Sequence, residues 1–349
     1  MIFLVSGNAP TLYPVETFFG LVYCSDEDAI EIPYQYPLQG EWGKPLSNVF
    51  EEPKNHDIPK KLDLVYLSIV EEKFYSFEGI IPLDSYKIRW EAIQKGVNYG
   101  NMPHVVVGLA PYGLVSLWIV SEDKSTLVFV SHAVETIVPM SEFYPTSPNI
   151  KLEDICTRYL NRCPKAKQNL ETNGLPPRDL FDNYMKQFTY RYLPMFEHWN
   201  EDEEKWQPYT EEEQETKPVY DYIEEALYDG THDKLHDGGL LNYHEAGKPK
   251  KLAVKWHIKK SEYAAYFWFE DEAIRAIFDK FYGIHPDTKT DFILHIDPMK
   301  NKYQLALYRY GLREPQIIAE EAYQLIVFKN KFEYFRSENY DQPRGAWIW

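Results

Sequence analysis

The sequence predicts an α+β fold in which two related units, each with a largely antiparallel sheet and a packed helix, are joined by a helical and acidic connector. Three observations favour this class. Residues 14–137 mainly alternate apolar and polar side chains, residues from 151 onward change to helical spacing, and the last 100 residues return to a period of two. The predicted units are 1–145, the connector 146–230, and 231–349.

The N-terminal unit contains runs of alternating, β-branched and aromatic residues that are typical of strands. A Pro-x-Gly turn at 111–113 joins two such runs and predicts a hairpin. Between the strand pairs, Asp84 can cap a helix that Gly96 can end. The predicted elements are strands at 62–69 and 73–78, a helix at 84–96, and strands at 104–110 and 114–120.

The connector begins with helical spacing of apolar residues, and Pro164 is expected to end its first helix. A second helix is expected after the Pro176-Pro177 pair. A third is expected where Val219, Ile223 and Leu227 align before Gly230. The predicted helices cover 152–160, 180–188 and 219–228.

The C-terminal unit repeats the order of elements seen in residues 59–137. Pro59-Lys60-Lys61-Leu62 recurs as Pro249-Lys250-Lys251-Leu252, and the helix at 84–96 is matched by an apolar stripe at 271–283. The offset stays at 187 residues from Asp84 to Pro111, whose counterpart is Pro298. We therefore predict an internal duplication of a strand–strand–helix–strand–strand unit.

Charge and composition exclude several classes of partner. The formal charge is −17, whereas nucleic acids and anionic membranes are bound by basic surfaces. No window approaches 18 apolar residues, so no transmembrane helix is expected. Cys24, Cys156 and Cys163 lack the spacing of a disulfide framework or a zinc site. We expect a cytoplasmic protein, or a periplasmic one if a leader has been removed.

The usual sequence marks of catalysis are missing from the chain. It has no nucleophile elbow, no phosphate-binding glycine loop and no HExxH motif. His232 and His236, with Asp233 and Asp237, would share one face of a helix, the spacing of a zinc site. Because glycines flank them, we interpret them as a polar linker, and we predict no metal, no cofactor and no enzyme activity.

The strongest compositional feature is the segment 199–229. It holds 12 acidic side chains and two lysines, so its charge of −10 is more than half of the net charge of −17. Aromatic residues are interleaved with the acidic ones. Two interpretations remain open. It is either a solvated connector, with Thr210 to Glu213 as a capping box, or a docking surface for a cationic protein with aromatic anchors. The candidate binding residues are Trp199, Glu201, Asp202, Glu203, Glu204, Trp206, Tyr209, Glu211, Glu212, Glu213 and Glu215.

Residues 9–200 resemble a known family. The similarity is carried by Tyr13-Pro14-Val15-Glu16, Trp42-Gly43, the run 105–113, Gly174-Leu175-Pro176 and the run 183–191. These resemble the bacterial domain of unknown function 2931. The resemblance supplies no catalytic residues. It implies an envelope lipoprotein for many members, and this chain lacks their leader and lipid-attachment motif.

Together these features predict a protein that binds another protein. The leading hypothesis is an immunity or inhibitor protein that neutralises a basic toxin or effector domain, because an acidic surface steers association with a basic partner. The first alternative is a structural or small-molecule-binding protein that uses its aromatic sheet faces. The second alternative is a metal-dependent hydrolase that uses His232 and His236.

Overall fold

The computed structural model describes residues 3–34, 36–46, 56–82, 102–121, 124–213, 215–236, 242–283, 288–309 and 314–338. They form a mainly β protein, with 18% helix, 49% strand and mostly antiparallel sheets. The chain divides into two compact units. Unit 1 comprises Met1–Met185 and Asp229–Thr231, and unit 2 comprises Lys186–Tyr228 and His232–Trp349.

Unit 1 contains two sets of paired strands. In the first, the order is β3-β2-β4-β5-β9, and every pair is antiparallel. In the second, the order is β1-β6-β7-β8, and only β1 and β6 run parallel. The strands are β1 (Leu4–Asn8), β2 (Val15–Tyr23), β3 (Ala29–Glu31), β4 (Lys61–Ser68), β5 (Lys73–Ile80), β6 (His104–Leu109), β7 (Leu114–Ser121), β8 (Lys124–His132) and β9 (Val134–Thr136).

The main core of unit 1 is formed by the inner faces of these two strand sets. Alternate residues of each strand point into it, as the pleat requires. Leu62 and Leu64 of β4 come from one set, and Val105 and Val107 of β6 from the other, all without solvent exposure.

The outer faces of both strand sets in unit 1 are covered by helices. Trp118 of β7 packs in a cluster with Phe181, and Phe74 of β5 packs in a cluster with Cys156. No helix among the described residues is long and apolar enough to cross a membrane. The helices of unit 1 are α1 (Met140–Phe143), α2 (Leu152–Arg162), α3 (Pro164–Asn173) and α4 (Leu180–Met185).

Unit 2 contains one α-helix, α5 (Asp271–Tyr282), among its described residues, and again two sets of strands. The orders are β13-β12-β15-β16-β20-β21 and β11-β10-β17-β18-β19, and β14 also pairs with β10. Only β10 and β17 run parallel. The strands are β10 (Phe188–Asn200), β11 (Lys205–Pro208), β12 (Val219–Leu227), β13 (His232–Leu235), β14 (His244–Ala246), β15 (Pro249–Ile258), β16 (Ser261–Phe269), β17 (Thr290–Asp297), β18 (Lys302–Tyr308), β19 (Gln316–Ile318), β20 (Tyr323–Lys329) and β21 (Phe332–Arg336).

The core of unit 2 is rich in aromatic side chains. The apolar stripe of α5, with Ile274 and Phe278, packs in one cluster with Tyr192, Trp256 and Phe292 from the strands. All five side chains are fully buried. Tyr192 places its hydroxyl 2.7 Å from a carboxylate oxygen of Glu225, so a buried polar pair is satisfied within this core.

The two units have the same strand order. In each, one set contains a parallel pair followed by antiparallel neighbours, β1-β6-β7-β8 in unit 1 and β10-β17-β18-β19 in unit 2. The other sets, β3-β2-β4-β5-β9 and β13-β12-β15-β16-β20, correspond strand for strand. The duplication itself stays a prediction, and the strand orders compared here include strands that the sequence did not predict.

Most predicted elements are confirmed. The hairpin of β6 and β7, the strands β4 and β5 and the helices α2 and α5 lie where the patterns placed them. The helix expected after Pro177 ends at Met185, and Phe188 begins a strand. Pro164 ends α2, as expected, but also begins α3. The predicted helix at 84–96 lies outside the described residues.

Two predictions at and just after the end of the connector are wrong. In place of the helix predicted at 219–228, Val219–Leu227 form the strand β12, and His232–Leu235 form the strand β13 and not a linker. The segment is therefore divided, with α2, α3 and α4 in unit 1 and β10, β11 and β12 in unit 2. The sheets are mostly antiparallel, as predicted, but the protein is mainly β and not of the predicted α+β class with a helical connector.

Lys248 is a buried cation in unit 2. Its side chain is fully buried, and its Nζ lies 5.1 Å from the centroid of the Phe188 ring. Burial, with smaller effects from Lys186 and Arg275, lowers its pKa from 10.5 to about 8, although Asp279 and Asp271 oppose this change. The charged form is therefore retained at neutral pH at a cost in stability.

We predict that replacing Lys248 by Met stabilises the protein by about 1–3 kcal/mol at pH 7, because the cost of burying the charge is removed. Between pH 8 and 10.5 the unfolded wild type binds more protons at this lysine than the folded wild type does. Raising the pH through this range therefore favours the folded wild type and reduces the difference between the two proteins. Denaturant unfolding of both proteins at pH 7 and pH 9.5 measures this, and an unchanged difference would contradict it.

Candidate functional site

The acidic segment begins with a β-hairpin formed by β10 and β11. Trp199 and Trp206 face each other across the two strands. The turn between the strands is held by Asn200, whose Oδ1 accepts hydrogen bonds from the backbone N–H groups of Asp202 and Glu203 at 3.0 and 3.1 Å. Glu204 closes the turn with a φ of 48°. The hairpin is thus built by side-chain and backbone contacts of its own residues.

The two tryptophans pack against the body of unit 2. Their ring centroids are 5.3 Å apart, and the ring of Trp206 stacks on His295 at 5.1 Å with an interplanar angle of 17°. The indole Nε1 of Trp206 donates a hydrogen bond to Gln304 at 2.9 Å. Both rings are half-buried. They support the hairpin and also leave part of their surface exposed.

A buried carboxylate fixes the hairpin to the turn between β17 and β18. Asp297 has no solvent exposure and accepts hydrogen bonds from the backbone N–H groups of Trp199, Met299 and Lys300 at 2.8–3.2 Å. Next to it, His295 Nδ1 lies 2.6 Å from a carboxylate oxygen of Glu197. These contacts order the base of the hairpin.

Tyr209 lies below the surface, with 8% exposure, and its ring centroid is 4.0 Å from that of His198. Glu213 accepts hydrogen bonds from the N–H and the hydroxyl of Thr210 at 2.9 and 2.7 Å, which is the carboxylate half of the predicted capping box, while the Glu213 N–H donates to the Thr210 backbone oxygen at 3.2 Å. The two bonds that its carboxylate accepts lower the pKa of Glu213. The helix that follows is only a single 3₁₀ turn, Glu211–Glu213.

Most carboxylates between 201 and 215 extend into solvent. Glu203 pairs with Lys205, Glu201 lies 3.8 Å from Lys300, and Glu213 lies 3.2 Å from His198. The other five form no ion pair with any residue that the structure describes. They are exposed, and they are Asp202, Glu204, Glu211, Glu212 and Glu215.

The acidic side chains in the second part of the acidic segment, residues 221–229, are buried or interact with other residues of the protein. Asp221 lies 2.8 Å from His257, and Glu224 lies 3.3 Å from Lys255. Glu225 and Asp229 are buried, and Asp229 accepts a hydrogen bond from the backbone N–H of Thr231 at 2.8 Å. These four acids stabilise the fold, so the candidate surface is limited to residues 199–215.

The structure does not bring His232 and His236 together as a metal site. His232 lies in β13, where four residues span about 13 Å, whereas on a helix the two rings would be neighbours. The His236 ring instead lies 5.6 Å from the ring of Tyr222. Asp237 lies outside the described residues.

A different group of potential ligands, missed in the sequence, lies in unit 1. Cys24, Asp28 and His56 each offer a donor atom, and these atoms lie within 4.8 Å of one another. Burial and the charges of Asp28 and Asp57 raise the pKa of the Cys24 thiol to about 12, so it is protonated at neutral pH. His56 Nδ1 lies 2.8 and 3.0 Å from the two carboxylate oxygens of Asp28. No sequence motif could have revealed the group, because 32 residues separate its ends.

A cleft of about 480 Å³ lies on unit 2. Tyr222, Tyr266 and Phe328 supply aromatic surface, and Lys255 donates a hydrogen bond to the Tyr222 hydroxyl at 2.6 Å. Although burial opposes it, this bond and the charge of Glu224 raise the pKa of Lys255, which therefore stays protonated. Asp221, Glu262 and Lys331 also line the cleft, so it combines aromatic surface with charges of both signs and can hold a small aromatic molecule.

Comparison with known proteins identifies the family to which the N-terminal half of the chain is similar. A family described as protein of unknown function (DUF2931) matches residues 3–177, which is just over half of the sequence and includes all strands of unit 1. No curated protein and no solved structure matches the chain. The chain belongs to the DUF2931 family, as the residues at 9–200 had suggested, and its acidic hairpin lies outside the matched part.

Proposed function

We propose that this chain is a non-enzymatic binding protein that neutralises a basic toxin or effector domain, as an immunity or inhibitor protein, through the surface formed by residues 199–215. One observation carries the proposal. Five exposed carboxylates within this short stretch have no cationic partner among the described residues, although the segment itself is ordered by its own contacts. A surface of this kind is completed by a partner that carries lysines and arginines.

The electrostatic part of binding follows from this arrangement. Clustered carboxylates attract a basic partner before contact and raise the association rate, more strongly at low salt. Because the hairpin is held by Asp297, Asn200 and Thr210, little conformational freedom is lost on binding. The unpaired acids are therefore available in a preformed arrangement.

The apolar part of binding is assigned to the two tryptophans. Trp199 and Trp206 are half-buried, so each can bury further area against a partner. Tyr209 supports this surface from below and is not itself an anchor, because it is buried. Among the described strands, β11 is the last in its sheet, and its backbone edge offers hydrogen bonds to a partner strand.

We assign the protein to a reducing compartment, the cytoplasm. Cys24, Cys156 and Cys163 are all unpaired and buried. Such thiols persist where disulfides do not form. The alternative is a periplasmic location.

Neutralising the four acids of the turn should mainly slow association. We expect Glu201→Gln, Asp202→Asn, Glu203→Gln and Glu204→Gln together to lower the on-rate of a basic partner by about 10-fold or more at low salt, because steering is lost. The partner is first captured on the immobilised wild-type chain and eluted with a salt gradient, and its association is then measured by surface plasmon resonance.

The matched control removes four exposed acids from unit 1 instead: Glu142→Gln, Glu153→Gln, Asp154→Asn and Glu171→Gln. It changes the net charge by the same amount and should leave the on-rate within about twofold. Equal slowing by both variants would assign the effect to net charge alone and contradict a localised surface. An on-rate that does not change with salt would contradict electrostatic steering.

Replacing Trp199 by Ala should mainly increase the dissociation rate. We expect an increase of about 10- to 100-fold, with an on-rate within about threefold of wild type, because an aromatic anchor acts after encounter. Its backbone N–H still donates to Asp297 in the variant, so the hairpin is retained. Circular dichroism confirms folding, and an unchanged dissociation rate would remove Trp199 from the interface.

A second candidate function, small-molecule binding, is favoured by the cleft of unit 2. If it is correct, an aromatic sulfonate such as 1-anilinonaphthalene-8-sulfonate should bind wild type, and Ala264→Phe, which fills the cleft, should weaken binding about 10-fold or more. Fluorescence titration measures both. The same substitution should not alter binding of the basic partner, so the two functions can be separated.

A further inference from the structure

The three donor groups in unit 1 come from three separate positions in the chain. Cys24 directly follows β2, Asp28 directly precedes β3, and His56 lies five residues before β4. Cys24 is fully buried and His56 is 7% exposed, whereas the Asp28 side chain keeps about a third of its surface, 35%. The group thus has two buried donors and one that faces solvent, which leaves a path for a small ion.

The backbone holds the donors in place. Asp28 O accepts hydrogen bonds from the N–H groups of Cys24 and Ser25 at 2.8 and 3.2 Å, which closes the turn between β2 and β3. Lys60 N donates to Tyr23 O at 2.7 Å and extends the pairing of β2 and β4 toward His56. The imidazole of His56 is also packed against the Phe3 ring at 5.5 Å. A site on such supports is organised before a ligand arrives.

The donor types fit one class of ligand. A thiolate, an imidazole and a carboxylate together suit Zn²⁺, which binds these groups at about 2.0–2.3 Å in a tetrahedral arrangement. Neighbouring ligands are then roughly 3.3–3.8 Å apart, so the contact of 2.8 Å between Asp28 and His56 needs to open by only about half an ångström. A tetrahedral ion bound by three protein ligands takes a water molecule as its fourth ligand, which the partly exposed Asp28 side chain allows.

The shared topology argues against a purely structural reason for the group. In unit 2 the corresponding place lies between the β12–β13 turn and the segment before β15, where Tyr228 N donates to Lys248 O. There the chain has no cysteine, and the ammonium group of Lys248 lies over Phe188. The same fold is therefore built without the three donors.

We propose that Cys24, Asp28 and His56 form a Zn²⁺ site that joins the β2–β3 turn to the segment before β4. A catalytic use of the same three residues is disfavoured, because the sulfur of Cys24 is fully buried and out of reach of a substrate. A metal ion bound only by the folded state would also stabilise unit 1.

The test uses the full chain, stripped of metal with a chelator, and Co²⁺ as a spectroscopic probe for Zn²⁺. We expect one equivalent of Co²⁺ to produce a thiolate-to-metal absorption band in the near ultraviolet, which Zn²⁺ then removes. Cys24→Ser should abolish the band, and both Cys24→Ser and His56→Gln should weaken Zn²⁺ binding about 100-fold or more. Cys163→Ser, which alters another buried thiol, should bind like wild type.

Either of two metal-binding results would overturn the proposal, and so would one result of thiol labelling. One is the lack of a thiolate band in the wild-type chain, which needs no variant and so does not depend on whether a variant folds. The other is Zn²⁺ affinity that is the same in wild type, His56→Gln and Cys24→Ser, provided that circular dichroism shows folded proteins. Rapid alkylation of Cys24 that Zn²⁺ does not slow would likewise contradict the site, because it would show an accessible thiol that binds no metal.

Discussion

The architecture of unit 1 depends on strands that must be covered on both faces. Val105 and Val107 of β6 point into the core between the strand sets, while Val106 and, on β7, Trp118 point to the other side and are equally buried. A sheet that is apolar on both faces is stable only with a layer on each side. The second layer here is α4, and α2 performs the same role for β4 and β5. The family match continues to residue 177, well beyond the last strand at Thr136, and therefore includes α2, whereas α4 begins at Leu180, after the matched part.

The fold could be predicted where the spacing of apolar residues in the sequence matches the conformation of the backbone, and it was mispredicted where the two differ. The hairpin of β6 and β7 was predicted because its turn residues and its β-branched runs agree. Residues 219–227 were misassigned because β12 contains two register shifts, at Tyr220/Tyr222 and at Ala226/Leu227. Each bulge changes which residues face inward, so the buried Ile223, Ala226 and Leu227, together with the exposed Val219, imitate a helical stripe. The burial of Glu225, whose carboxylate accepts a hydrogen bond from the Tyr192 hydroxyl, could not be predicted either, because a count of charged residues does not show which of them are buried.

The two candidate sites also differ in how far they could be predicted from the sequence. The acidic hairpin could be located from composition alone, because its residues are neighbours in sequence, although its partners Asp297, His295 and Gln304 could not. The group of Cys24, Asp28 and His56 has no characteristic spacing in the sequence that would identify it. Its members meet because β2 and β4 pair in a register that sets Tyr23 opposite Lys61, and register is a property of the folded sheet.

The two candidate sites lie where the two units depart from their common topology. Strand β1 has five residues, whereas its counterpart β10 has 13. Residues Tyr190 to Phe196 of β10 pair with β17, as β1 pairs with β6, and the residues beyond them turn back as the hairpin with β11. The hairpin is therefore an addition that the shared core does not need, just as unit 2 does without the three donors of unit 1. Both sites are held in a defined geometry although the shared fold does not need them. This is expected of functional sites, which are added to a scaffold.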